Sequence, residues 1–368
     1  MAIGIDVRLW KQTGIGRYIR NLVSELSKLD KKNQYALFAR PEDIEDIKSA
    51  VSSQQFVVIP TDIKWHSVSE QVEFPRLLNK YNLDLMHFPY FSVPVFYKKP
   101  FVVTVHDLII NHFPTGKAST LPFPLYKVKR LGYGLVLKKA IHDAKKIIAP
   151  SNATRNEIIN IYKTRKDKIS VTPEGVDDTI SDFKPVLFKP KNPYFLYVGN
   201  AYPHKNLERF LEAFKLFTVD NSRFTVKLVG RQDFFYKKLK GYVEKNKIQG
   251  VEFLGYVEDL DLANLYAQAT ATFIPSLMEG FGLTALEAMS MKSLVACSKI
   301  PSLEEVCGAN AQYFNPEDIL SITGAMEQIA GLSEKEKPEL IKKAKKHAET
   351  FSWKTTAKLT LDVYNSCL

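Results

Sequence analysis

Cysteine is scarce in this chain: Cys297, Cys307 and Cys367 are its only three, and no two of them form a C-x-x-C pair. An odd number of thiols scattered late in the sequence excludes a disulfide framework and a cysteine-built zinc site, and fits reduced, structural cysteines. No apolar run is long enough to cross a bilayer, and there is no internal repeat and no low-complexity tract. The chain enters an apparent strand at once (Ala2 to Val7), with no basic segment followed by an apolar one. The expectation is a soluble cytoplasmic protein, peripheral at most on the cytoplasmic face of a membrane. Hard-metal ligand sets are lacking too. Asp259 and Asp261 form an Asp-x-Asp, but the following LANLYAQA has helical spacing, so Asp259 reads as a helix N-cap with Asp261 in the first turn. No divalent cation and no cofactor is expected.

What is present is globular in kind, with 45% hydrophobic and 25% charged residues. A length of 368 residues exceeds what one core usually supports, so two domains are expected. The net charge of +11 favours anionic partners, whether nucleic acid, phosphorylated substrates or an anionic membrane face.

Strand-like runs alternate with helical patterns: Tyr35 to Ala39, Phe56 to Ile59, Asp84 to Phe88, Phe101 to Val105 and Lys146 to Pro150. Such alternation predicts an α/β fold with parallel sheets and crossover helices. In the first helix Ile15, Ile19, Leu22, Val23, Leu26 and Leu29 fall on one face. Between Asp177 and Pro193 the pattern lapses into a proline-containing stretch read as a linker, which bounds a first domain at residues 1–178. A second alternating series follows, with strands expected at Tyr194 to Val198, Phe224 to Val229, Val251 to Leu254, Ala271 to Ile274, Ser293 to Cys297 and Gln312 to Phe314. It bounds a second domain at 193–352, and a helical segment, 353–368, closes the chain.

The most informative run is PSLMEGFGLTALEAM, Pro275 to Met289. It sets Glu279 and Glu287 around a Gly280-Phe281-Gly282 turn that opens into a helix near Leu283. Glycines permit close backbone approach, and the helix start presents unpaired N–H groups to an anion. Glu287 is placed to accept the two hydroxyls of a ribose, while Glu279 precedes the turn and faces the pocket. The strand-to-helix position is where open α/β sheets bind ligands.

Three further turns have the same character. GIGRY, Gly14 to Tyr18, opens the first helix, so that Gly14 and Gly16 allow backbone approach to a phosphate or an acceptor hydroxyl, with Arg17 and Tyr18 as candidate acceptor contacts. As a dinucleotide fingerprint it lacks the third glycine. FVVTVHDL places His106 and Asp107 past the end of an apolar strand, with Asp107 a candidate acceptor contact. In YVGNAYPHKNLERFL, Lys205 stands just before a helix, where its ammonium and the helix N-terminus converge on one anion. The segment Leu125 to Lys146 mixes basic with apolar and aromatic residues, which fits either a solvated helix face or a membrane-surface contact.

With these residues in place, the chain resembles glycosyltransferase family 4, retaining enzymes of the GT-B fold. The likeness rests on the Glu-x7-Glu pattern EGFGLTALE, Glu279 to Glu287, accompanied in order by GIGRY, the VHD strand end, APSNAT (Ala149 to Thr154), PEGVD (Pro173 to Asp177) and VGN with HKN. The resemblance implies two Rossmann-like lobes facing across a cleft, the donor held mainly by the second, and a terminal helix crossing back to the first. It implies Glu287 on the ribose, Glu279 and the amides of Gly280, Phe281, Gly282 and Leu283 on the donor sugar, Lys205 on the diphosphate, His106 beside the transferred sugar and Tyr256 near the base. Where many members carry an arginine, this chain has Asn200, so His204 or Arg231 is the candidate replacement cation. The donor implied is GDP-mannose, with a UDP-sugar as the alternative, and the acceptor a lipid-linked saccharide or polysaccharide rather than nucleic acid. Same-face attack, with the leaving phosphate taking the acceptor proton, is favoured, since no residue is an evident covalent nucleophile. A nucleotide-sugar hydrolase or epimerase and a non-catalytic basic binding module are the competing readings.

Overall fold

A computed structural model of the chain describes residues 1–51, 53–113, 123–176 and 190–367, with backbone alone for 123–128. The expected linker lies outside the described residues up to position 189.

Two compact units are formed. The first comprises Met1–Leu108, Leu121–Gly175 and Ser352–Leu368, and the second Ile109–Thr120 and Val176–Phe351. In the first, β1 (Ala2–Asp6), β2 (Gln34–Ala39), β3 (Phe56–Pro60), β4 (Leu85–Phe88), β5 (Phe101–Thr104), β6 (Lys146–Ala149) and β7 (Ile169–Val171) make a seven-stranded sheet of order β3-β2-β1-β4-β5-β6-β7. In the second, β8 (Tyr194–Val198), β9 (Thr225–Val229), β10 (Val251–Gly255), β11 (Ala271–Ile274), β12 (Val295–Ser298) and β13 (Gln312–Phe314) make a six-stranded sheet of order β10-β9-β8-β11-β12-β13. Every pairing is parallel, as the alternation of strands and helices predicts. β7 escapes a reading of hydrophobic runs, because it is only three residues long and only its first residue is buried.

Each sheet reverses its strand order once, between β1 and β4 in the first unit and between β8 and β11 in the second. At such a reversal the loops leaving adjacent strands diverge and open a crevice at the carboxyl ends, which is where doubly wound sheets bind ligands.

The first helix, Gly14–Leu29, buries Tyr18, Ile19, Leu22, Val23 and Leu26, whereas Ile15 and Leu29 of the expected stripe are half-buried at its two ends. Truncating a buried Leu22 to alanine is worth about 2–5 kcal/mol. The last helix, Trp353–Asn365, belongs to the first unit, and Thr356 Oγ1 donates a 2.6 Å bond to the Pro173 carbonyl. One boundary differs from expectation. The helix after β10 spans Asp259–Gln268 with Glu258 at the cap, so Asp259 is a first-turn residue beside Asp261 rather than the cap itself. Both carboxylates still favour the positive end of the helix.

Candidate active site

In the second unit the candidate residues converge on the reversal between β8 and β11. Lys205 ends a short 3₁₀ turn, Pro203–Lys205, in the loop after β8, and Glu279 lies in the loop after β11. The Lys205 Nζ donates to Glu279 Oε1 at 2.7 Å, and Ser276 Oγ donates to the same oxygen at 2.6 Å. Two bonds tie the loops together: Leu277 N donates to the His204 carbonyl at 2.8 Å, and Asn206 Nδ2 donates to the Pro275 carbonyl at 3.1 Å. Asn206 sits at a left-handed φ of 59°, a conformation that asparagine tolerates better than most side chains. It turns the chain from the lysine into the helix Leu207–Phe217.

The electrostatics of this cluster follow from its packing. Burial alone would raise the Glu279 carboxyl, but the Lys205 ammonium and the Ser276 hydroxyl outweigh it, so its pKa lies below the ordinary 4.5. Burial pushes the His204 imidazole down to about 4, and the neighbouring Lys205 charge adds to the effect. His204 is therefore neutral at physiological pH and brings no charge to offset Asn200. Arg231 follows β9 and is exposed. Asn200 is exposed, and its carbonyl accepts from the Tyr197 hydroxyl at 2.6 Å.

The turn at Gly280-Phe281-Gly282 leads into the helix Leu283–Ser290. Gly282 occupies the cap at φ 117°, a backbone conformation that L side chains rarely adopt, so glycine is favoured there. Phe281 is buried against Phe351. Glu287 lies one turn into the helix, is only 5% exposed, and accepts from the Tyr266 hydroxyl at 3.4 Å. Tyr256, after β10, is 64% exposed.

In the first unit the centre is His106, which follows β5. Its Nδ1 lies 3.1 Å from Glu174 Oε1 and its Nε2 3.0 Å from the Pro89 carbonyl oxygen. Burial acts to lower this imidazole, but the hydrogen bond and charge of Glu174 outweigh it, so its pKa lies above the ordinary 6.5. The Tyr18 ring packs edge-on against it, centroids 4.8 Å apart. Tyr18 itself is buried, with its hydroxyl 3.2 Å from Thr104 Oγ1, so it stands behind His106. Gly16 backs onto the Leu9 and Trp10 carbonyls, where a Cβ would collide, whereas Gly14 faces open space. Arg17 and Asp107 are half-buried.

Glu174, Ser276, Asn206 and Pro89 are members of these clusters that sequence reasoning did not assign. Glu174, Ser276 and Asn206 lie inside the PEGVD, PSLMEG and HKN motifs; the partners of Glu174 and Asn206 are distant in sequence, while Ser276 meets Glu279 three residues on. Among the described residues no group of three or more His, Cys, Asp or Glu side chains is arranged to hold a metal ion, and no helix is long and apolar enough to cross a membrane.

Comparison with known proteins bears on the family and the fold. Residues 12–179 match the profile described as Glycosyltransferase Family 4, and residues 178–348 the profile described as Glycosyl transferases group 1. The O-antigen chain mannosyltransferase B of Escherichia coli is 29% identical over 380 aligned positions, covering 96% of each chain. The O-antigen chain mannosyltransferase RfbU of Salmonella typhimurium is 28% identical over 268 positions, covering 73% of this chain and 71% of its own. Among solved structures, Anabaena HepE in complex with UDP-glucose superposes with a TM-score of 0.77 over 100% of both chains at 16% identity, a likeness of fold. Sucrose-phosphate synthase from Thermosynechococcus elongatus superposes with a TM-score of 0.77 over 100% of this chain and 98% of its own at 20% identity. Two consecutive profiles spanning residues 12–348, a mannosyltransferase-named relative matched over 96% of both chains and a GT-B architecture together establish that this chain is a glycosyltransferase belonging to family 4.

Proposed function

We propose that the enzyme transfers mannose from GDP-mannose to a hydroxyl of a lipid-linked or polysaccharide acceptor, with retention of configuration and without a metal ion. The observation that carries this reading is the Lys205–Glu279 pair, held at 2.7 Å between the loops that leave β8 and β11. A departing nucleoside diphosphate accumulates negative charge, and a preorganised ammonium beside the start of the helix Leu207–Phe217 stabilises it without reorganisation. When donor binds, Glu279 exchanges Lys205 for sugar hydroxyls and frees the ammonium for phosphate. The glycine-capped helix Leu283–Ser290 supplies amides to the donor, Glu287 binds the ribose and Tyr256 packs on the base. Mannose is favoured by the printed activities of the Escherichia coli and Salmonella relatives. The acceptor oxygen attacks the face from which the diphosphate leaves, and the leaving phosphate takes its proton. In this scheme His106, Arg17 and Asp107 of the first unit serve the transferred sugar and the acceptor.

A UDP-sugar donor is the second reading, favoured by the UDP-glucose complex of the Anabaena structure. Calorimetric titration with GDP and separately with UDP, without added metal, decides between them. Tighter GDP binding supports the mannosyl donor, tighter UDP binding replaces it, and binding of neither overturns the proposal. Nucleotide release from the donor at the same rate with and without acceptor saccharide marks a hydrolase or epimerase instead.

The helix Phe123–Asp143 exposes Leu131 and Leu135, 71% and 68% accessible, beside Arg130 and Lys138. This supports peripheral contact with an anionic membrane face, which co-sedimentation with vesicles containing and lacking anionic lipid tests.

A further inference from the structure

His106 has no ring nitrogen to spare. Its Nδ1 meets a carboxylate oxygen of Glu174 and its Nε2 meets the carbonyl oxygen of Pro89. Pro89 O can only accept, so Nε2 carries a proton; an unprotonated Nδ1 would then aim its lone pair at the Glu174 oxygen. The geometry is satisfied by an imidazolium that donates from both nitrogens. Such a ring cannot act as a base as it stands, and what it brings to the site is positive charge.

Glu174 is itself fixed from outside the sheet. It follows β7 in the loop Thr172–Gly175, and its two neighbours are tied to the last helix of the chain. Pro173 O accepts a 2.6 Å bond from Thr356 Oγ1. Gly175 lies so close to that helix's start that a Cβ would overlap the Trp353 nitrogen and the Ser352 carbonyl carbon. Trp353 in turn packs against Tyr18, centroids 6.0 Å apart, and Tyr18 lies edge-on to the His106 ring.

We infer that Glu174 is the positioning residue of His106, holding its imidazole in place, and that the start of the terminal helix holds Glu174. The helix Trp353–Asn365 thus reaches the site through one carboxylate, without supplying a group to it. The other titratable groups around the ring agree with this. Asp107 adjoins it in sequence, and Tyr18 presents a buried ring from the first helix. His87 of β4 is held to Thr104 and Tyr364, and is neutral because burial and the His106 charge push it down to about 3. The assignment of His106 to a transfer site rests on the proposed function; its partnership with Glu174 does not.

The test is an NMR titration of ¹⁵N-histidine-labelled protein, with the His106 signal assigned by H106Q, in the parent, E174Q and T356V. The parent ring is expected to titrate above 6.5. In E174Q, which keeps shape and loses charge, the titration falls by about 1–3 pH units. T356V, which removes the bond to Pro173, lowers it by a smaller amount. The alkaline limb of the rate–pH profile follows the same order. Should E174Q fail to fold by circular dichroism, E174D replaces it, with a titration between those of the parent and H₂O-exposed histidine. An unchanged titration in E174Q overturns the inference, and an unchanged one in T356V overturns the part played by the terminal helix. No substrate is needed for the titration. A shift in E174Q without any sugar transfer by the parent therefore leaves the positioning role intact and removes the proposed function.

Discussion

The ammonium of Lys205 lies 2.7 Å from the Glu279 carboxylate across 74 residues of sequence, and both side chains are mostly buried. Each stands on a loop leaving one of two adjacent strands, β8 and β11, and the His204–Leu277 and Asn206–Pro275 bonds set the distance between those loops. The pair is therefore a product of strand order, and in the proposed function it supplies the cation for the leaving diphosphate.

Replacing Lys205 with alanine removes that preorganised charge. The expected loss is about 3–4 kcal/mol of transition-state stabilisation, a hundred- to thousandfold fall in turnover. Steady-state kinetics with the preferred donor measure it, and a fall below about tenfold takes Lys205 out of the mechanism.

The Glu279 carboxyl titrates below its ordinary value in the folded chain, so its ionised form stabilises the fold. Such a contribution is present above the unfolded value near 4.5 and is lost as pH falls through the lowered folded one. E279Q is expected to be less stable than the parent at pH 7, by about 1.5–3 kcal/mol for hydrogen bonds to a charged group. Denaturation measured across acid pH should find the gap closing below the ordinary carboxylate range; a gap independent of pH contradicts the ion pair's role.

Glu287 is buried and accepts a hydrogen bond from Tyr266. Its proposed partner is the ribose, so E287A should weaken nucleotide affinity by about 1.5–3 kcal/mol while leaving turnover at saturating donor less affected. Calorimetry that returns the parent's affinity removes the ribose role.

Because burial holds His204 neutral, His204→Asn should leave the pH dependence of nucleotide affinity between pH 6 and 8 unchanged. With His204 neutral, the exposed Arg231 is the candidate for the cation missing at Asn200. R231A is expected to weaken nucleotide binding more than His204→Asn does. The reverse order, measured by the same titration, returns the role to His204.

Much of the site was legible from local spacing. Gly282 is a helix cap whose backbone conformation favours glycine, and the chain on either side announces a strand and a helix by its apolar pattern. Lys205 was readable as a cation just before a helix, and His106 as a polar residue just past a strand end. Motif membership alone did not reveal what Glu174 does, because its partners are far along the chain: Glu174 reaches His106 across 68 residues, and Thr356 reaches Pro173 across 183. Asp259 illustrates the limit on boundaries, since two acidic residues near a helix start favour the dipole equally well at the cap or within the first turn.

The sequence by itself determined the kind of structure and the family: short apolar runs alternating with helical periodicity specify parallel α/β units, and glycines and short motifs mark the candidate ligand-binding turns. Only the tertiary structure decided which charges meet. Strand order brings Lys205 to Glu279, the last helix braces the loop that carries Glu174 to His106, and burial sets His204 neutral. Charge state and pairing depend on neighbours that are close in space and far along the chain, and local residue pattern does not encode them.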